Sequence, residues 1–257
     1  MKTRIASWFK SNPAEMRADG LREVFFINGQ LEFRGHFKDG RREGVHESYY
    51  QNGQLESRGS YAGGRLDGLQ EWFHKNGQLR DKQAYKDGKK NGPWELYHDN
   101  GQLRSRGSYQ DEKRNGPFEV FYNNGQPRSR GNHKDDNRDG PYESYYENGQ
   151  LESSGAFAHG KKTGPWQKFH ENGQLEQKGI WRDDQPDGLL EWFHENGQPK
   201  IREHYRDGKR DGSYESYDEN GCLKTRGTFK GGVLDGPYEL YDASGQVREM
   251  GTFKDGF

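Results

Sequence analysis

The chain has 257 residues, of which 32% are charged and 28% hydrophobic, and its 40 basic side chains nearly balance 41 acidic ones. A net charge of −1 excludes a global field that would attract nucleic acid or anionic lipid. The single cysteine, Cys222, excludes an internal disulfide and a Cys-based zinc site. Such a composition is typical of disorder, but aromatic residues reach 14% and recur in register, which favours a folded repeat.

Residues 1–19 precede the repeat and are predicted to be a cap segment. We expect a short helix broken near Pro13, with Trp8 and Phe9 covering the first sheet edge, because an open edge strand invites association. The start lacks the apolar run of a signal peptide, and no stretch reaches the length of a transmembrane helix. The sequence therefore predicts a cytoplasmic protein.

Residues 20–257 form the repeat array, marked by an Asn-Gly pair every 24 residues. A tenth turn, Ser244-Gly245, follows in register. Asn-Gly between strand-like runs predicts a two-residue type I′ hairpin turn, with φ > 0 at both residues, and a fixed period predicts a solenoid-like array. The pairs begin at Asn28, Asn52, Asn76, Asn100, Asn124, Asn148, Asn172, Asn196 and Asn220.

A second glycine keeps the same period and closes a longer loop, such as Lys86 to Gly92. Two glycine-dependent turns per repeat predict an antiparallel meander. The fold class is therefore all-β: an elongated, single-layer antiparallel sheet of ten 24-residue β-hairpins.

Side chains also recur in columns along the array. A first aromatic column starts at Phe25 and a second at Phe37, and we expect both to stack and hold a thin sheet together. A glutamate lies two residues before most members of the first column. The type I′ register places Glu23 opposite Arg34, and the same count pairs Glu47 with Arg58, so these charges are predicted to fix strand register.

The segment Gly59 to Gly68 resembles the MORN repeat, with looser spacing, and the 24-residue unit with Asn-Gly-Gln-Leu is similar to the MORN-repeat variant of bacterial YwqK-like antitoxins. The resemblance extends over residues 20–256. It implies an elongated, twisted, single-layer sheet without catalytic residues. It also implies a role in toxin–antitoxin or immunity pairs, whereas other MORN proteins are scaffolds or lipid binders.

Sequence motifs of enzymes and of metal sites are missing. There is no Gly-x-Gly, Gly-x-Ser-x-Gly, His-Glu-x-x-His or Cys-x-x-Cys. His74 and His98 share a column, but neighbouring repeats lie two strand spacings apart, roughly 9–10 Å, which is too far for one zinc ion. We expect no enzyme activity, metal or cofactor.

Departures from the repeat are the candidate binding residues. Three loops carry acids where most have glycine, and Asp139 and Asp187 extend two of them into a predicted acidic stripe for a basic partner. The alternative is that loops vary and Asp tolerates φ > 0. Aromatic residues of the columns are candidate contacts as well. The loop acids are Asp111, Glu112, Asp135, Asp136, Asp183 and Asp184, and the aromatic candidates are Trp181, Tyr97, Phe121, Tyr145 and Phe169.

These observations predict a non-enzymatic protein-binding module, best described as a bacterial antitoxin or immunity protein whose partner is a cognate toxin. Two alternatives stay open: a structural scaffold or membrane-associated MORN protein, and an aromatic glycan-binding platform. The last strand either stays open, which would allow self-association through the edge, or pairs with a partner.

Overall fold

The computed structural model describes residues 19–257, so the predicted cap segment, residues 1–19, lies outside the described residues except for Asp19. The described chain is all-β and runs as an antiparallel meander, which confirms the predicted fold class. It divides into two compact units, one ending at Gly116 and one starting at Pro117.

The first unit consists of successive hairpins in which each strand pairs with the next one along the chain. Its strands are β1 Gly20–Phe25, β2 Leu31–Lys38, β3 Arg41–Tyr49, β4 Leu55–Ala62, β5 Arg65–Phe73, β6 Leu79–Lys86, β7 Lys89–Tyr97, β8 Leu103–Gln110 and β9 Lys113–Arg114.

The second unit repeats this pattern, with two of its hairpins preceded by a two-residue strand. Its strands are β10 Gly116–Phe121, which begins at the unit boundary, β11 Pro127–Lys134, β12 Asn137–Tyr145, β13 Leu151–Ala158, β14 Lys161–Phe169, β15 Leu175–Arg182, β16 Gln185–Pro186, β17 Gly188–Phe193, β18 Pro199–Arg206, β19 Lys209–Tyr217, β20 Leu223–Lys230, β21 Val233–Leu234, β22 Gly236–Tyr241 and β23 Val247–Phe253.

The two kinds of turn are the reverse of the predicted ones. At Asn28-Gly29 only the glycine has positive φ, of 81°, and Gly29 N–H donates to Phe26 O at 2.9 Å. Phe26 N–H then donates to Gln30 O, so this is a three-residue loop with a type I turn and a left-handed glycine. The type I′ turns instead occupy the predicted long loops, as at Asp87-Gly88 with φ of 50° and 84°.

The predicted register is nevertheless confirmed, because two offsets cancel. The three-residue loop shifts the pairing by one residue, and a bulge beside it, where Phe25 pairs with Leu31 and Val24 with Phe33, shifts it back. Glu23 therefore lies opposite Arg34, as predicted. Four further hairpins confirm the same count, with pairs Glu47 and Arg58, Glu71 and Lys82, Glu95 and Arg106, and Glu215 and Arg226.

The turn asparagines connect consecutive repeats. In each regular turn the Asn Oδ1 accepts the backbone N–H two residues later, as Asn148 does from Gln150 at 2.9 Å. The Asn148 Nδ2 donates to Glu171 O in the next repeat at 3.1 Å. The same inter-repeat bond is made by Asn28, Asn52, Asn124, Asn172 and Asn196. We call this set of bonds the asparagine ladder.

The type I′ turns connect repeats on the other side of each hairpin. The backbone N–H of the second turn residue donates to a carbonyl of the preceding repeat, as from Gly88 to Leu66 O at 2.7 Å and from Gly160 to Arg138 O at 2.8 Å. Side-chain oxygens add to this, because Asp139 Oδ2 accepts the His159 N–H at 3.1 Å. Both ends of the strands thus bond to a neighbouring repeat, as expected of a repeat protein stabilised by nearest-neighbour contacts.

Candidate functional site

The two faces of each sheet differ in chemistry because side chains alternate along a strand. One face, the charged face, carries the glutamates that begin with Glu23, the basic residues opposite them, and the first aromatic column. The other, the aromatic face, carries the second aromatic column and a column of glycines that includes Gly35 and Gly155. Most of the buried side chains lie on the aromatic face, among them Phe33, Phe157 and Trp166.

On the aromatic face, large side chains pack directly against the glycines opposite them. A Cβ at Gly35 would come within 2.3 Å of the His46 ring, and one at Gly155 within 2.2 Å of Trp166. Basic residues cover the rings from outside, with the Arg138 guanidinium 5.3 Å from the Phe157 ring centroid. This packing leaves the aromatic face little room for a ligand.

Glu203 departs from this pattern because it occupies a glycine position and is only 2% exposed. Its carboxylate accepts hydrogen bonds from the Tyr205 hydroxyl at 2.7 Å and from Arg210 Nε at 3.1 Å. A buried carboxylate needs such partners. The second carboxylate oxygen, Oε1, lies 3.0 Å from Arg210 Nη2, so the buried charge is paired within the fold and the cluster is structural.

On the charged face, one row of positions carries glutamate on the first long strand of most hairpins and a basic residue on the second, so that the sign alternates along the row. We call these positions the charge row. Most of its basic side chains form an ion pair with the glutamate of the following strand, as Arg58 does with Glu71 at 2.7 Å and Lys82 with Glu95 at 2.6 Å. Arg34 instead bonds Glu23 on the preceding strand, at 2.8 Å. Exposed pairs of this kind contribute little energy individually, so their regular alternation mainly fixes register.

Four aromatic candidates, Tyr97, Phe121, Tyr145 and Phe169, lie half-buried in the first column, on the charged face. The hydroxyls of Tyr97 and Tyr145 donate to Glu95 and Glu143 of their own strands. Burial, together with that bond to Glu143, raises the pKa of Tyr145 to about 12. Trp181 is half-buried on the aromatic face. The structure therefore places these five candidates on two different faces.

The predicted loop acids occupy the two central positions of type I′ turns. Glu112, at the second position, has φ of 69°, where an L residue is strained. The acids are partly used within the fold: Asp184 Oδ1 accepts the Lys162 N–H at 2.7 Å, and Asp183 lies 3.9 Å from Lys161 Nζ. Asp111, Glu112 and Asp183 are exposed, as are Asp135 and Asp136.

The acidic turns of the second unit are not adjacent. Between Asp135-Asp136 and Asp183-Asp184 the intervening hairpin presents His159-Gly160, followed by Lys161. Asp139 bonds the His159 backbone, and Asp187 pairs with Arg182 at 2.9 Å. These carboxylates are held by the fold, so the predicted acidic stripe is discontinuous within this unit.

A different surface stands out in the second unit, where its charge row is interrupted. Ser154 and Gln167 face each other at positions that carry a basic residue and a glutamate in most repeats. Beside them Pro165 pairs with Ile180, and Leu189 follows on the next hairpin. Together these five residues line a recess on the charged face. We call them the neutral patch: Ser154, Pro165, Gln167, Ile180 and Leu189.

The neutral patch combines exposed aliphatic side chains with a charged rim. Ile180 is 53% and Leu189 39% exposed. The rim is formed by Lys178 and Glu191, which are joined by an ion pair of 2.9 Å. The sequence shows Gln167 as an exception in the glutamate column, but only strand pairing shows that Ser154 lies opposite it and that Ile180 lies beside Pro165.

Groups suited to metal binding or membrane crossing are missing from residues 19–257. Within that range no cluster of three or more His, Cys, Asp or Glu could hold a metal ion. No helix in the same range has the length and hydropathy to cross a membrane.

The described chain is thus a repeat protein built of β-hairpins, coupled by side-chain and backbone bonds between consecutive repeats. A family model described as "MORN repeat variant" matches nine segments of it, and the chain belongs to this family. The match begins at residue 42, so the first hairpin, Gly20–Lys38, lies before it. The segments are 42–62, 66–87, 90–111, 114–135, 138–158, 162–183, 186–207, 210–230 and 234–255.

Comparison with individual proteins adds little. No curated protein matches the chain. Among solved structures, the GtfA/B complex bound to UDP and GlcNAc is 18% identical over 51% of this chain and 26% of that one, with a TM-score of 0.21. TcdB2-TccC3 is 13% identical over 90% of this chain and 16% of that one, also at 0.21. The chain therefore spans about a quarter or less of these structures.

Proposed function

We propose that this chain is a non-enzymatic protein-binding module that neutralises a cognate toxin in the cytoplasm. MORN repeats are in general modules that bind proteins or lipids, which supports the binding role. The toxin as partner is supported by the resemblance of the Asn-Gly-Gln-Leu unit to YwqK-like antitoxins.

The observation that carries the proposal is the neutral patch. Exposed Ile180 and Leu189 lie together in a chain that is 32% charged. Apolar patches with a polar rim mark protein interaction sites. Sheet stability does not explain the patch, because Ser154 and Gln167 replace residues that elsewhere form cross-strand charge pairs.

The partner is expected to present an apolar centre to the patch. The exposed acid Asp183, three residues after Ile180 on the adjoining turn, would favour basic side chains at the periphery of that partner. A toxin that acts on an anionic substrate such as nucleic acid would carry such basic residues. In this arrangement the predicted loop acids contribute to association rate and the neutral patch to affinity.

The test begins with purification of the tagged chain from its source cells and identification of a stoichiometric partner. The partner's own activity is then measured with and without this chain, and affinity is measured by calorimetry. Leu189→Lys should weaken binding about tenfold or more, as expected of an interface centre. Leu69→Lys is the matched control, because Leu69 holds the equivalent position in the first unit and is 43% exposed.

Inhibition of the partner's activity, lost in Leu189→Lys and kept in Leu69→Lys, would support the whole proposal. A stoichiometric partner whose activity is unaffected would overturn the toxin assignment and leave the binding role. Equal effects of the two substitutions would remove the neutral patch as the site.

A lipid-binding role is the second candidate, favoured by basic residues beside the type I′ turns of the first unit. Arg41 and Arg42 follow one such turn, and Lys89 and Lys90 follow another. Co-sedimentation with anionic vesicles would detect this role. Binding that is lost in Lys89→Glu and unaffected by Leu189→Lys would favour lipid over protein.

A further inference from the structure

The nine Asn-Gly pairs are also chemically labile. An asparagine followed by glycine deamidates readily, because the glycine backbone nitrogen approaches the asparagine Cγ without obstruction from a side chain. Nine such pairs in one chain are nine candidate sites of spontaneous modification. The structure separates them by how firmly each carboxamide is held.

The asparagine ladder holds most of the carboxamides at both ends. Asn196 Oδ1 accepts the Gln198 N–H at 3.0 Å, while its Nδ2 donates to Glu219 O at 2.6 Å. The attacking glycine N–H is bonded in both turns, Gly197 to His194 O at 2.9 Å and Gly221 to Asp218 O at 3.0 Å, so this bond does not distinguish the two sites. Attack on Asn196 Cγ also requires the side chain to leave its two hydrogen bonds first. Asn28, Asn52, Asn124, Asn148 and Asn172 are held in the same way.

Asn76 lies outside the ladder but keeps two bonds to Gln78, each of 3.0 Å. Asn220 keeps neither kind of bond, and the cause is the first residue of its turn. Asp218 occupies a position that holds Tyr or His in the preceding seven turns. Its Oδ1 accepts the backbone N–H groups of both Asn220 and Cys222, each at 2.9 Å. The carboxylate thus takes the donor that would bind Asn220 Oδ1. The exposed carboxamide of Asn220 makes no hydrogen bond in the described structure.

We propose that Asn220 is the preferred site of spontaneous deamidation in the folded protein. The Gly221 backbone nitrogen loses its proton to solvent hydroxide and attacks Asn220 Cγ. The Cγ–Nδ2 bond then breaks, ammonia leaves with a proton from water, and a cyclic succinimide remains. Water opens the ring at either carbonyl, giving an aspartyl or isoaspartyl residue at position 220. Water is consumed and ammonia released, so no oxidant or reductant is needed.

Conversion of Asn220 to aspartate leaves the repeat contacts intact, whereas the isoaspartyl product adds one methylene to the backbone of the turn. No side-chain hydrogen bond of Asn220 is lost, and the new carboxylate is exposed. The same reaction at Asn196 would put a carboxylate oxygen against Glu219 O, where the Nδ2 donor now lies. The folded protein therefore accumulates the modification at position 220, which adds one negative charge to a turn that already holds Asp218 and Glu219.

The experiment is to incubate the full chain at mildly alkaline pH and measure the deamidation rate at each Asn-Gly pair by peptide mass mapping in ¹⁸O water. Asn220 should react about tenfold or more faster than Asn196, the factor expected when two hydrogen bonds no longer need to break. In concentrated urea the rates at the two sites should converge, because only local sequence then acts.

The matched variants exchange the first turn residue. Asp218→His should slow the reaction at Asn220 towards the Asn196 rate, and His194→Asp should accelerate it at Asn196. Equal rates at the two sites in the folded chain would overturn the proposal. A difference that persists in urea would overturn it too, since the cause would then be the sequence rather than the fold. Peptide mapping of the unmodified chain, folded and in urea, compares the two sites even where a variant fails to fold.

Discussion

The asparagine of the turn acts through its side chain rather than its backbone angles. Asn148 keeps negative φ and uses its carboxamide to bond its own turn and the next repeat. This explains why asparagine recurs at a position where the backbone does not demand it. A single side chain therefore couples two consecutive repeats.

Asn148→Ala removes both hydrogen bonds of that carboxamide. We expect the free energy of unfolding to fall by about 1–2 kcal/mol, since each bond contributes about 1 kcal/mol net. Urea unfolding followed by circular dichroism measures the change. Asn220→Ala is the control, because the Asn220 side chain makes no hydrogen bond in the described structure, and it should leave stability nearly unchanged. Equal losses in the two variants would show that the ladder does not couple repeats.

His46 makes the stability of the first unit depend on pH. Burial is the largest effect that holds the pKa of His46 below its ordinary value of 6.5, and the nearby Arg42 charge lowers this pKa further. The folded state therefore favours the neutral ring. Its contribution to stability is complete above pH 6.5 and is lost as the pH falls towards the lower folded pKa.

His46→Gln should flatten that dependence, because Gln70 fills the equivalent buried position in the next repeat. Thermal unfolding at about pH 7.5 and about pH 5.5 spans the ordinary histidine titration. The unmodified chain should lose more stability between the two than the variant. His36→Gln alters an exposed ring and should keep the original slope; a slope unchanged in His46→Gln would contradict the argument.

At the level of the hairpin, the sequence patterns predicted strand register correctly but predicted the wrong turn geometry. Glu23 and Arg34 pair as predicted although the turn between them has three loop residues rather than two. The bulge beside the turn restores the count, and nothing in the local sequence signals it. The type I′ turn at Asp87-Gly88 was missed because the basic residues around it read as loop rather than strand.

Substitution of Glu112 tests the energetic cost of a non-glycine residue at the second position of a type I′ turn. As an L residue with φ of 69°, Glu112 occupies a position that glycine takes at Gly88. Glu112→Gly should stabilise the protein by about 0.5–1 kcal/mol, since relief of left-handed strain exceeds the entropy cost of glycine. Gly88→Glu should destabilise by a similar amount. Chemical denaturation of both variants checks the pair, and shifts of the same sign would contradict the strain argument.

Across each unit the charged face combines a regular pattern with a local exception. Sequence alone predicted the glutamate column and noted Gln167 as its gap. It could not predict that Ser154 faces that gap, or that Ile180 and Leu189 adjoin it, because those relations arise from pairing between strands. The predicted acidic turns were easier to see in sequence, and they prove to be partly occupied by bonds within the fold.

Filling the gap separates stability from binding. Ser154→Arg with Gln167→Glu would place the new arginine opposite Glu143 and the new glutamate opposite Lys178. We expect stability to rise by about 0.5–1 kcal/mol from the added cross-strand pairs, while partner binding weakens because charge replaces the neutral patch. Urea unfolding and calorimetry with the partner measure the two effects.

The reversed pair, Ser154→Glu with Gln167→Lys, keeps the mutual attraction of the two new residues but sets each against a like charge, Glu143 or Lys178. It should be less stable than the unmodified chain. Equal stability of the two double variants would mean that the charge row does not act across strands. If instead the completed row proves more stable and fails to bind, the gap at Ser154 and Gln167 lowers sheet stability in exchange for a surface on which a partner can dock.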